Sequence, residues 1–376
     1  MRHWLATVWF LGRKELSSLL ADKVLLALIL YSFTLSVYTV ATGVKTDVSH
    51  ARVALVDGDR SALTHRIGDA LLPPYFRAPD RLDRSDVDAA MDRGDYTFII
   101  DLPPRMEADL RSGHSPLVQL NIDATAMTQA GLGSAYIQQI IAQEVAETLD
   151  PRASTVTPVA LVSRTLFNPN LEGLWFQAVM AVIQFITILS ILLVGAAVIR
   201  EREHGTIEHL LVMPITASEI ALAKIWANGL VILVASGLSL AFVVEGWLGV
   251  PIQGSLGLFL AGVALYLFAT TSLGILLATV TRSMPQFALI AIPIFMVLNM
   301  LSGATSPLES MPDALRTLIQ LSPTMHFVQL AQAILYRGAG LEIVWPQMLV
   351  LAGLGAGFLA VALPQFRAML ARSETG

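Results

Sequence analysis

Cysteine is absent from this chain, which excludes a disulfide framework and a thiolate metal site. Charge is scarce: Lys, Arg, Asp and Glu make up 14% of the 376 residues, against about 25% in a soluble domain. The net charge of −5 is not the basic footprint of a nucleic-acid binder. There is no GxxxxGK[ST] stretch, so the chain lacks the phosphate cradle of a P-loop ATPase. "GLGAG" (Gly353, Gly355, Gly357) lies inside an apolar run rather than after a strand, and Gly353-xxx-Gly357 reads as a helix-packing face. His204, Glu208 and His209 lack the HExxH spacing and read as a solvated loop rather than a metal site.

Apolar residues supply 55% of the chain, and the mean hydropathy is +0.64. The polarity is gathered in one block. Residues 45–173 hold twelve Lys/Arg and eighteen Asp/Glu, a net −6, while the remainder carries +1. A helix crosses the hydrocarbon core, about 30 Å thick, with roughly 20 apolar residues. Six stretches qualify: 24–44, 174–199, 225–244, 256–280, 285–301 and 343–363. The fold class expected is therefore an α-helical integral membrane protein of six transmembrane helices, with an inserted extracytoplasmic α/β domain at 45–173. Residues 174–366 form a five-helix membrane region, and 367–376 a cytoplasmic tail. Residues 1–23 read as a cytoplasmic interfacial helix, or alternatively as an extension of the first span.

Lys and Arg set the orientation. Arg2, Arg13, Lys14 and Lys23 precede the first span; Arg200, Arg202 and Lys224 separate the second from the third; Arg282 separates the fourth from the fifth; Arg367 and Arg372 follow the sixth. Both termini are thus expected in the cytoplasm. Inside 45–173, "RVALVDGD", "YTFIIDLP" and "PLVQLNID" read as strands, and "SALTHRIGDAL", "SDVDAAMDRG", "RMEADLRSG" and 129–149 as helices. An external helical hairpin at 305–341 is split by Ser322-Pro323.

Ion-coupled carriers place ionisable residues inside their spans. The six stretches contain none, so transport would draw its energy from a partner. A rival reading is a membrane-anchored extracytoplasmic sensor or receptor; another is a membrane enzyme using external carboxylates. A sensor would be expected to carry a kinase, cyclase or adaptor domain.

The stretch "REREHGTIEHLLVMP" (200–214) follows the second apolar run. It turns at Gly205-Thr206, where glycine takes positive φ without cost, forms a short apolar ridge (Ile207, Leu210, Leu211) and breaks at Pro214. Thr216-x-x-Glu219 is a capping box that opens the next helix. The segment 200–216 reads as a projecting cytoplasmic knob whose charges sit in water.

This segment resembles the E-x-E-x-G-T-x-E-x-L-x-x-x-P motif of ABC-2 type ABC transporter permease subunits, matched at Glu201, Glu203, Gly205, Thr206, Glu208, Leu210 and Pro214. "RTLFNPNL" (Arg164, Phe167, Asn168, Pro169) resembles the R-x-x-[FY]-N-P segment of the branch with a large external domain. "LSGATSPLESMP" (Ser302, Gly303, Pro307, Met311, Pro312) resembles the S-G-x-x-x-P-x-x-x-M-P hairpin before helix six. The chain departs from that branch at Phe176-Gln177-Ala178, where Pro-Gly is usual. The resemblance implies a permease without chemistry or cofactor of its own, ATP and Mg belonging to a cytoplasmic ABC ATPase dimer. The dimer would dock on a coupling segment that includes Arg200, Glu201, Arg202, Glu203 and Leu211. A second permease copy or sister permease would complete the unit, often beside a periplasmic adaptor protein, for export of drugs, lipids or other amphiphiles across a bacterial inner membrane.

Overall fold

The computed structural model describes residues 2–43, 50–123, 127–149, 173–203, 215–303 and 311–373. The chain divides into two compact units, one of Met1–Gly43 with Leu174–Gly376, the other of Val44–Gly173.

The first unit is helical. Helix α1 (Arg2–Ala21) stops because Asp22 adopts an extended backbone and its carboxylate accepts the Val24 and Leu25 N–H groups at 3.1 Å. That bond starts α2, Lys23–Gly43, and so α1 is a helix in its own right rather than an extension of the first span. In the second unit, β1 (Val53–Asp57), α3 (Ala62–Ala70), β2 (Asp80–Arg81), α4 (Val87–Asp92), β3 (Phe98–Leu102), α5 (Met106–Arg111), β4 (Gln119–Ile122) and α6 (Met127–Leu149) follow in turn. The sheet order is β2-β1-β3-β4, parallel except for the β3–β4 pair. Alternation along β1 and β3 buries both faces. Val53, Leu55, Phe98 and Ile100 pack with Leu63, Ile67 and Met106, while Ala54, Val56 and Ile99 meet Ala90 on the other side.

The helical unit resumes with α7 (Gly173–Glu203), α8 (Ala217–Trp247), α9 (Leu256–Val280) and α10 (Met284–Met300). It continues with α11 (Asp313–Ile319), α12 (Pro323–Leu335) and α13 (Leu341–Ser373). The capping box read at Thr216 and Glu219 is present, with the Thr216 N–H donating to Glu219 Oε2 at 2.6 Å. Among the described residues, five helices are long and apolar enough to cross a membrane: α2, α7, α8, α9 and α13. Helix α10, read from the sequence as a full span, is shorter at 17 residues and carries Pro293 inside it. Helix α13 runs on to Ser373, through the stretch read as the start of a tail. Helix α7 continues through Phe176-Gln177-Ala178 without a break.

Helices α7 and α9 are the inner ones, 72% and 67% buried over their apolar windows, against 33% for α2 and 22% for α13. Hydroxyls join these two helices to each other and to α12. Thr187 and the Tyr266 hydroxyl lie 2.6 Å apart, Tyr266 and Thr324 3.0 Å, and Ser190 donates to Thr270 at 2.7 Å, all buried. Such interhelical bonds contribute about 0.6 kcal/mol each in membranes. The expectation for "GLGAG" is corrected. Gly355 is the packed residue, since a Cβ there would meet Phe268 at 2.4 Å, whereas Gly353 and Gly357 have open space. The helix turns Gly355 toward α9 and its two neighbours away from it.

Candidate functional site

Helix α7 ends in four consecutive charged residues, and a helix rotates about 100° per residue. Their side chains therefore fan out around the axis, and each reaches a different neighbour. Arg200 Nη1 lies 3.7 Å from Asp22 Oδ2, at the α1–α2 junction. Glu201 Oε1 lies 2.9 Å from Lys224 Nζ on α8. Arg202 Nη2 donates to the Thr281 carbonyl at 2.8 Å, closing the end of α9. Glu203 Oε1 accepts the Met284 N–H at 3.0 Å, at the start of α10. Ser283 provides no side-chain cap for α10. The Glu203 carboxylate takes that place, where an anion is favoured by the helix dipole.

Lys224 sits at the centre. Its side chain is 1% exposed, and its ammonium also donates to Glu15 Oε1 on α1 at 3.1 Å. One ammonium thus serves two carboxylates from two other helices. Burying such charges is costly unless each is paired, and removing one partner costs about 3–5 kcal/mol. Helix α1 is held on α8 by more than charge. Trp9 stacks on Trp226 at 5.1 Å with the rings 3° from parallel, and the Trp226 indole donates to the Val8 carbonyl at 3.2 Å. Gly12 lets the two helices approach, because a Cβ there would come within 2.1 Å of Trp226.

Two sequence expectations are corrected here. The charges at 200–203 are not uniformly solvated: Arg200 is 55% exposed, but Glu201 is 18% exposed and faces a buried lysine. Nor is α8 free of ionisable residues. The helix begins at Ala217, so Lys224 lies about two turns inside it, whereas the apolar run alone places the start at 225. Glu15, Asp22, Trp226, Thr281 and Met284 complete the site and were not singled out from sequence. Gly205, Thr206, Glu208, Leu210, Leu211 and Pro214 lie outside the described residues, as do Arg164, Phe167, Asn168, Pro169 and Pro307. Ser302 is buried, Gly303 has a φ of 80°, and Met311 precedes Pro312, whose carbonyl accepts the Arg316 N–H at 2.9 Å as α11 begins.

The arrangement joins the foot of one inner helix to α1, α2, α8, α9 and α10. The model of the ABC-2 family transporter proteins matches residues 24–363. The chain belongs to that family. Among its relatives is the inner membrane transport permease YhhJ of Escherichia coli (strain K12), 52% identical over 98% of both chains. The probable multidrug ABC transporter permease YbhR of the same organism is 28% identical, over 94% of this chain and 97% of the relative. ABC transporter G family member 20 of Dictyostelium discoideum matches 57% of this chain and 30% of its own length, at 27% identity. The clasp at the end of α7 contains Glu201 and Glu203, and membership of the family implies association with an ABC ATPase.

Proposed function

We propose that the chain is the membrane-spanning permease subunit of an ABC exporter that moves a drug, lipid or other amphiphile across the bacterial inner membrane. ATP and Mg are bound and hydrolysed by a separate cytoplasmic ABC ATPase dimer. Two permease copies, or this chain and a sister subunit, form the translocation unit, beside a periplasmic adaptor. Helix α10, at the short end of the 17–25 residues a span requires, is the sixth crossing. The termini and 200–224 face the cytoplasm, and 45–173 faces outward. The names of the relatives support the class of cargo and the membrane.

The observation that carries this reading is the clasp. A segment that only linked two helices would need no four-way anchorage. Here the residues immediately before the proposed docking segment fasten α7 to its neighbours. A push delivered by the ATPase at 205–214 is thereby passed to the whole helical unit. Glu201 and Glu203 serve the transmission, and the residues beyond them serve the docking. The test follows from that division. Glu208→Lys and Leu210→Asp should insert normally but lower ATPase co-purification, its turnover and transport together. Normal docking and turnover in both variants would reduce 205–214 to a linker and overturn the proposal.

A further inference from the structure

A cavity of about 700 Å³ opens beside the clasp. Arg202, Arg282, Thr279 and Gln365 supply its polar wall, and Val280 and Met369 part of its apolar wall. It lies at the turn between α9 and α10, next to the last part of α13. Arg202 gives one donor to the Thr281 carbonyl, and a guanidinium has five N–H donors. Arg282 is exposed, and among the described residues its side chain has no hydrogen bond or ion pair. Both guanidinium groups line this one cavity. Glu203, the carboxylate whose charge reaches Arg202, holds the Met284 N–H.

We infer that this cavity holds the phosphate-bearing headgroup of an anionic phospholipid. Two guanidinium groups on one cavity match a phosphate diester, which accepts paired N–H bonds in a plane. Basic pockets between spans at the cytoplasmic surface suit such headgroups. The same phosphate chemistry is offered by free phosphate. The apolar wall at Val280 and Met369 selects the lipid, because a glycerol backbone and the first acyl carbons need an apolar surface beside the charged one. The inference rests on the proposed topology only in that the α9–α10 turn must lie at the membrane surface.

The test uses the full chain in nanodiscs of phosphatidylcholine carrying a photoactivatable phosphatidylglycerol. Wild type should cross-link to the lipid within the α9–α10 turn or the end of α13. R282Q, at an exposed side chain, should lower the yield roughly tenfold, as expected for loss of a charge-assisted contact, and R282K should restore part of it. An unchanged yield in R282Q would overturn the inference. So would complete competition by excess inorganic phosphate, which would assign the site to the free anion. Loss of ATPase co-purification in R282Q with lipid labelling intact would make the surface a protein contact instead. R282C labelled by an impermeant thiol reagent from outside the cell would sink the topology alone, because lipid cross-linking is read independently of the side.

Discussion

Arg200 and Glu201 are adjacent in the sequence and chemically complementary, yet their environments separate them. Removing an exposed partner costs about 0–1 kcal/mol, whereas taking one of its two carboxylates from a buried lysine costs more, though less than the roughly 3–5 kcal/mol of stranding it, because Glu15 stays at 3.1 Å. Thermal unfolding of the detergent-purified chain should therefore show a clear loss for Glu201→Ala and almost none for Arg200→Ala. Equal midpoints would mean that Glu15 alone suffices for Lys224. Glu201→Gln, which keeps a hydrogen-bond acceptor for the ammonium, should fall between them. The motif marks Glu201 as a site residue, but not its partner. Lys224 looks like a flanking charge when the span is drawn from apolar residues alone, and Glu15 comes from the other end of the chain. The Thr216–Glu219 capping box held the corrective signal. A helix that starts at Ala217 puts Lys224 on the same side as Ile220, Ala221 and Ala227, all buried, where a lysine needs a partner.

Helices and strands were legible wherever the apolar pattern was long or regular. The runs 174–199 and 256–280 lie within α7 and α9, and the three apolar stretches of the second unit became β1, β3 and β4. Strand β2 was not legible. Asp80–Arg81 is polar and exposed, and it joins the sheet edge by pairing with Ala54 and Leu55. The seating of α1 also depends on a distant contact. Gly12→Leu should displace Trp226, break the Trp9 stack and free α1 from α8, which a changed tryptophan emission spectrum would report; an unchanged spectrum would count against the seat. In the second unit, Glu107 ties α5 to α3. Its carboxylate accepts from Arg111 at 2.8 Å and from the Leu63 N–H at 3.2 Å, and the Arg111 bond, with Leu63 behind it, holds its pKa below the usual carboxylate value. A depressed folded pKa stabilises above the unfolded pKa, and that contribution is lost as pH falls through the folded value. Glu107→Gln should thus increase proteolysis of 50–123 at neutral pH, with the difference from wild type narrowing on acidification. A gap that widened on acidification would reverse the assignment.

For the whole molecule, topology and energy source are separately testable. The cysteine-free chain accepts single cysteines at Ser61 and Ser218, and an impermeant thiol reagent should label the first and not the second in intact cells. Equal labelling would refute opposite sides. Transport should need the ATPase and survive collapse of the proton gradient while ATP is maintained. The buried Lys224 group gives this experiment a specific alternative: if an uncoupler abolished transport, Lys224 and its two carboxylates would be the first candidates for a proton carrier. Helix α7 has one further consequence. It is unbroken over 31 residues, a rod about 46 Å long at 1.5 Å per residue. Pivoting at its clasped foot by roughly 5° would swing the opposite end by roughly 4 Å. Leverage of that size would turn a small stroke at the clasped foot into a larger displacement at the far end of α7 without unwinding it.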